Sequence, residues 1–307
     1  PENAWTVTFS DNVEQIATPT SEYRGFSIWD TTDSELSETV QSPDGQMAYA
    51  SAFSPDGTRL AIGVAAPEQG VRIRDLKAGR YFDFRAPVGV ESATPPIAVA
   101  YSRDGTKLAA SARGWRTYVF DVETGDLLQE LLPNERAYAI TFSHDSQYLV
   151  TGNWSGVAQQ WSVETGEAYG PPMEHPGSLW SVAYSRDGKL LATVTKDRER
   201  DDRFAVYVWL VGWGYPYHHI VLPVHPAAPD RGNSHATVQF DEAGNLLFRG
   251  ETADAISIWP MPVLPDDLAE LELKTHIALG LRRSAVGTVE AIPWQEWREL
   301  RATLAKH

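Results

Sequence analysis

Two landmarks that recur in step predict an all-β fold, a β-propeller of four-stranded blades. The first is an aromatic residue followed by Ser or Asp: Phe9-Ser10, Phe53-Ser54, Tyr101-Ser102, Phe142-Ser143, Tyr184-Ser185 and Phe240-Asp241. The second is Trp29-Asp30, Arg74-Asp75, Phe120-Asp121, Trp161-Ser162, Trp209-Leu210 and Trp259-Pro260. The first recurs at intervals of 44, 48, 41, 42 and 56 residues, the second at 45, 46, 41, 48 and 50. Four short strands per period of this length are the pattern of a propeller blade.

Each unit justifies its strands in the same order. A short apolar run leads to the first landmark, as in Val182-Ala183-Tyr184, and forms the inner strand. A tight turn follows, Ser-Pro-Asp-Gly at 54–57 and Ser-Arg-Asp-Gly at 102–105 and 185–188. Asp-Gly suits it because glycine accepts positive φ at little cost. A second run comes next, such as Leu108–Ala110 or Leu190–Ala192. The third ends at the second landmark, as in Val206-Tyr207-Val208-Trp209. After turns such as Glu-Thr-Gly at 123–125 and 164–166, a fourth run such as Leu127–Leu131 closes the unit. In the first unit the strands are expected near 4–9, 14–18, 25–30 and 36–40. In the sixth they are expected near 236–240, 245–249 and 255–259.

The stretch from His175 through Thr193, with Trp29-Asp30 and the Ser-Pro-Asp-Gly turn, resembles the WD40 repeat. Six such units fill residues 3–262; only Trp29-Asp30 keeps the literal Trp-Asp pair, and no unit has Gly-His. The resemblance implies a WD40-type propeller, read as part of a seven-bladed ring from the C-terminal portion of a larger bacterial protein. Such rings usually close when one terminus completes the blade at the other. Here the chain opens directly on an inner strand, and Pro260, Pro262 and Pro265 break the last unit before a fourth strand. An upstream segment is therefore expected to supply the closing strand, the alternative being Thr288–Ile292.

Residues 263–307 read as a helical extension. Asp266 and Asp267 suit a helix N-terminus, and Leu268, Leu271, Ile277 and Leu281 are its apolar positions. Pro293 suits the start of a second helix carrying Trp294, Trp297, Leu300 and Leu304 on one face.

Composition narrows the function classes. The 307 residues hold 26 Lys+Arg against 41 Asp+Glu, a formal charge of −15. That balance argues against broad phosphate-backbone binding, so no nucleic-acid partner is expected. No apolar run approaches the roughly 20 residues of a membrane-spanning helix. The chain has no cysteine, hence no disulfide framework, thiolate metal site or thiol nucleophile. No phosphate-binding glycine loop or kinase catalytic loop is present.

By the resemblance, His175, Thr195, Asp197 and Trp209 align with the hydrogen-bonded tetrad of WD40 repeats. A His-Asp-Thr set can look like a hydrolase triad, but at the repeat's own spacing the reading is structural. His218, His219, His225 and His235, with Asp230, could suggest a metal site. Four interleaved prolines read instead as a connection between the fifth and sixth units. No cofactor and no metal are expected. The charged stretch Lys196–Arg203 reads as a solvated turn. Trp115 and Trp154 fall in the corresponding turns of other units, either folded back on their blades or marking a contact.

The residue four before each first landmark is Trp5, Tyr49, Ile97, Tyr138, Trp180 and Ala236. The resemblance places these positions at the channel mouth, the usual partner-binding surface. Large apolar groups there either plug the channel or anchor a partner. The expected function is a non-catalytic scaffold for protein–protein contacts, a module of a larger protein. The alternative is the sensor propeller of a signalling enzyme, such as a protein kinase, with its catalytic domain upstream; a propeller enzyme, the third reading, would need convergent polar residues at the channel mouth, where this chain offers mostly Trp, Tyr and Ile.

Overall fold

Alternation of apolar and polar residues over runs of five or six builds strands, and the strands assemble into blades. A computed structural model describes residues 7–12, 14–20, 22–42, 47–64, 70–85, 96–112, 115–197, 203–212, 215–222, 236–241, 243–250, 257–261, 281–283 and 289–291. Among them there is no helix. The first blade is β1 (Thr8–Phe9), β2 (Gln15–Pro19), β3 (Gly25–Asp30) and β4 (Leu36–Gln41). The second is β5 (Ala48–Phe53), β6 (Arg59–Val64), β7 (Gly70–Asp75) and β8 (Tyr81–Arg85). The third is β9 (Val99–Tyr101), β10 (Lys107–Ala112), β11 (Arg116–Asp121) and β12 (Leu127–Leu131). The fourth is β13 (Ala137–Phe142), β14 (Tyr148–Asn153), β15 (Val157–Ser162) and β16 (Met173–Glu174). The fifth is β17 (Ser178–Tyr184), β18 (Leu190–Asp197), β19 (Arg203–Gly212) and β20 (Tyr215–Leu222). The sixth shows three strands among the described residues: β21 (Ala236–Phe240), β22 (Leu246–Gly250) and β23 (Ser257–Trp259). Every pairing is between chain neighbours and antiparallel, as short turns require.

The core lies between blades rather than within them. Phe26, Ile28 and Val40 of the first blade pack with Phe53, Leu60 and Ile62 of the second. Leu108, Tyr118 and Phe120 of the third join Val71, Ile73 and Phe84 of the second. The third and fourth, and the fourth and fifth, share clusters in the same way. Each buried Leu, Ile or Phe contributes about 1.5–3 kcal/mol, so each blade is stabilised chiefly by its neighbour.

The turn joining the first two strands of the second to fifth blades carries a repeated network. The serine hydroxyl donates to an aspartate two residues on: Ser54 to Asp56, Ser102 to Asp104 and Ser185 to Asp187 at 2.6 Å, and Ser143 to Asp145 at 2.5 Å. The same hydroxyl accepts the N–H of Arg59, Lys107, Tyr148 or Leu190 at 2.8–3.0 Å. The fourth turn residue has φ of 67–72° at Gly57, Gly105 and Gly188, but in the fourth blade it is Ser146 at 60°. Its hydroxyl accepts the Asp104 N–H at 3.3 Å, joining the turns of blades three and four.

Burial pushes the Asp104 carboxyl up, but hydrogen bonds from the Ser102 hydroxyl and the Thr106 N–H and hydroxyl outweigh it, bringing it from 3.8 down to about 2. A carboxyl lowered in the folded state stabilises fully above its unfolded pKa and loses that contribution as pH falls through its folded one. Asp104→Asn is therefore expected to destabilise the chain at pH 7. That difference should shrink between about pH 4 and 2 in urea titrations at stepped pH; a pH-independent difference would contradict it.

Two inner-strand tyrosines provide a second test. Burial pushes both phenols well above their usual range, so each is a protonated donor. Tyr184 donates to Gln160 Oε1 at 3.0 Å. Among the described residues the buried hydroxyl of Tyr101 has no hydrogen-bond partner. Tyr184→Phe should cost about 1–3 kcal/mol, while Tyr101→Phe should be neutral or slightly stabilising. Equal losses in denaturant titrations would sink this distinction.

The chain divides into two compact units, Pro1–Met261 and Pro262–His307. In the second, β24 (Leu281–Arg283) pairs antiparallel with β25 (Val289–Ala291). Leu281 is thus a strand residue, not a helix position, and Val289–Ala291, within the segment expected as the alternative closing strand, pair with β24. The other expected helical positions lie outside the described residues.

Candidate interaction site

The inner strands β5, β13 and β17 each break register at the same place. The shifts lie between Ala48 and Ser51, Ala137 and Ala139, and Leu179 and Ser181. Tyr49, Tyr138 and Trp180 are therefore bulge residues. An extra residue in one strand re-aims its side chain away from the ladder. All three are half-buried.

Two of them are bridged by an aromatic from a turn. Trp154, between β14 and β15, lies 5.2 Å from the Tyr138 ring and 5.2 Å from the Trp180 ring, at interplanar angles of 49° and 62°. The guanidinium of Arg136 sits 6.0 Å from the Tyr138 ring centre. Trp154 itself is 40% exposed. The result is a row, Tyr138–Trp154–Trp180, crossing from the fourth blade to the fifth. Tyr23, in the equivalent turn of the first blade, meets Tyr49 of the second at 5.9 Å.

The turn that carries Trp154 is anchored from below. Asn153 Oδ1 accepts the Val157 N–H at 2.8 Å. Gly156 has φ of 94°, and a Cβ there would stand 2.6 Å from the His175 carbonyl and 2.7 Å from that of Gly177, so only glycine fits. The Gly156 carbonyl accepts the His175 N–H at 2.9 Å and faces its Nδ1 at 3.0 Å. His175 Nε2 meets the Thr193 hydroxyl at 2.8 Å, and Trp209 Nε1–H donates to the same hydroxyl at 3.0 Å. A carbonyl only accepts and an indole N–H only donates, which sets the order in the neutral ring. Trp209 donates to Thr193, Thr193 to His175, and His175 to Gly156. Tyr207 and Trp209 flank the imidazole edge-on at 5.0 and 5.2 Å. The latch thus ties the fifth blade to the fourth.

The hydroxyl in this chain is Thr193, not Thr195. Both lie on the same face of β18 because strand side chains alternate, and both are fully buried. Among the described residues the Thr195 hydroxyl has no hydrogen-bond partner. The Asp197 side chain lies outside the described residues. The missed signal is spacing: Thr18, Thr151 and Thr193 each follow their first landmark by nine residues. Each also accepts the blade's tryptophan N–H, from Trp29 and Trp161 at 2.9 Å in the other two.

The remaining expected positions divide. Trp5 lies outside the described residues. Ile97 and Ala236 are buried, so they belong to the core and not to a contact surface. Trp115, in the turn before β11, is 60% exposed with φ of 62°, a left-handed conformation uncommon for tryptophan. His218 and His219 stand in β20 rather than in a connection; His225, His235 and Asp230 lie outside the described residues. Lys196, Asp197 and Arg203 are paired strand residues that lengthen β18 and β19, rather than turn residues.

A profile described as "WD domain, G-beta repeat" matches residues 126–162 and 172–199, the blades that hold the latch and the row. The chain is a β-propeller that carries WD40 repeats. It is 27% identical over 150 residues to WD repeat-containing protein 82 of Drosophila melanogaster, covering 46% of each. It is 26% identical over 189 residues to the periodic tryptophan protein 2 homolog of Dictyostelium discoideum, covering 61% of this chain and 20% of that one. The chain thus spans less than half the length of these curated relatives. A solved structure of Kuenenia stuttgartiensis hydrazine synthase superposes with a TM-score of 0.63 at 16% identity, covering 80% of this chain and 73% of that one. At that identity the likeness is one of fold and carries no chemistry.

Proposed function

We propose that this WD40 propeller is a non-catalytic platform, a module of a larger protein, that binds a protein partner on the row Tyr138–Trp154–Trp180. One observation carries the reading. Three aromatic side chains are held half-buried to exposed by two bulges and a glycine-pinned turn. A channel plug would bury Trp154; instead it presents 40% of its surface. Aromatic anchors in a rigid setting dominate interface energetics because little side-chain freedom is lost on binding. Arg136 adds a cation at the edge of the row.

Affinity capture with the intact chain and with Tyr138→Ala/Trp180→Ala, compared quantitatively, tests the reading. A set of proteins retained by the first and lost by the second is expected. Identical captured sets would reject it.

A further inference from the structure

The turn between the third and fourth strands has one backbone design in four blades. The N–H of Asp30, Asp75, Asp121 and Ser162 donates to the carbonyl five residues on, at Glu35, Arg80, Asp126 and Glu167, at 2.9 Å in each. This bond makes the positions equivalent. At the fifth position three blades carry an acid and the second blade carries Arg80. At the second position the third and fourth blades carry Glu123 and Glu164, and the second blade carries Lys77. The charge of one turn is reversed on a chain whose net charge is −15.

The acids nearest this turn are already engaged. Asp75 Oδ1 accepts the N–H groups of Lys77 and Ala78 at 3.1 and 2.7 Å. Asp83 pairs with Arg72 at 2.6 Å, and Glu38 with Arg74 at 2.8 Å. Among the described residues no ion pair engages Lys77 or Arg80, and both are exposed. Beside them runs β8, the outer strand of its sheet, with Tyr81, Phe82 and Asp83 all exposed. Arg72 and Arg74 lie 5.1 and 4.7 Å from the Tyr81 ring, and Arg59 lies 5.9 Å from that of Phe82.

We infer that this rim of the second blade, Lys77 and Arg80 with the β8 edge at Tyr81–Phe82, is a second docking surface that takes an extended acidic segment of a protein partner. As the last strand of its sheet among the described residues, β8 offers an edge for strand addition. The aromatic pair offers apolar contact, and the two cations select carboxylates by charge complementarity. A polyphosphate chain is disfavoured because it has neither apolar side chains to meet Tyr81 and Phe82 nor a peptide backbone to pair with the β8 edge.

The test uses the intact chain and a fluorescent peptide of about eight residues alternating Glu and Val, long enough to cover an ordinary strand. The same peptide with Gln for Glu and a thymidine oligonucleotide serve as comparisons. Fluorescence anisotropy should show binding to the acidic peptide that weakens with salt. The Gln peptide and the oligonucleotide should bind about tenfold or more weakly. Lys77→Glu/Arg80→Asp restores the charges of the third blade's turn, so folding should be retained; its acidic-peptide affinity should fall at least about tenfold. Equal binding of acidic and neutral peptides, or an unaffected variant with an unchanged melting curve, would overturn the inference. Tighter binding of the oligonucleotide would overturn it in favour of nucleic acid.

Discussion

His175→Ala should cost about 3 kcal/mol of stability. The substitution removes two buried hydrogen bonds: the Thr193 hydroxyl loses its acceptor, at about 1–3 kcal/mol for a buried group left without one, while the Gly156 carbonyl keeps only the backbone N–H of residue 175. It also opens a void against Tyr207 and Trp209, which adds to the loss. For a chain of this size the melting temperature should fall by roughly 5–10 °C. Thr193→Val should follow in direction, because it strands the Trp209 N–H and His175 Nε2. Thr195→Val should be near neutral, because among the described residues that hydroxyl has no partner to lose. Equal effects at 193 and 195, measured by thermal unfolding, would contradict the latch.

Trp154→Ala should cost about 1–2 kcal/mol of stability, since the indole packs on two rings while 40% exposed, and weaken partner binding by about 2 kcal/mol, or some thirtyfold. The ring spans the gap between Tyr138 and Trp180, so its loss removes the centre of the row and loosens both flanks. Trp154→Ala combined with Trp180→Ala should therefore cost less than the two added separately, because the rings touch. Isothermal titration with a captured partner measures this. Full additivity would mean that the two rings act as independent contacts.

Much of the fold was legible because its period is written in residue types. The run Leu127–Leu131 is β12 as expected, and the turns follow from Asp-Gly and its equivalents. The bulges were not legible. An extra residue in an inner strand alters no residue type, and Tyr138 or Trp180 fits a ladder position as well as a bulge. The position of the latch hydroxyl was half legible. The period of two puts Thr193 and Thr195 on one face, so pattern alone cannot choose between them, whereas the constant nine-residue spacing in three blades can. Trp154 was visible only as a tryptophan in a turn; its partners come from two different strands, β13 and β17, that the packing of the fourth blade on the fifth brings together. Leu281 misled because its spacing from Ile277 suits a helix, while a three-residue strand is too short to show a period of its own.

Site-specific photo-crosslinking tests the central claim most directly. A benzophenone side chain placed at position 154 should crosslink to a discrete protein partner in cells. The same probe at Leu127, equally exposed on the outer rim of the third blade, should not yield that product. Absence of any product from position 154, or the same product from both positions, would contradict the assignment of the binding surface to the aromatic row.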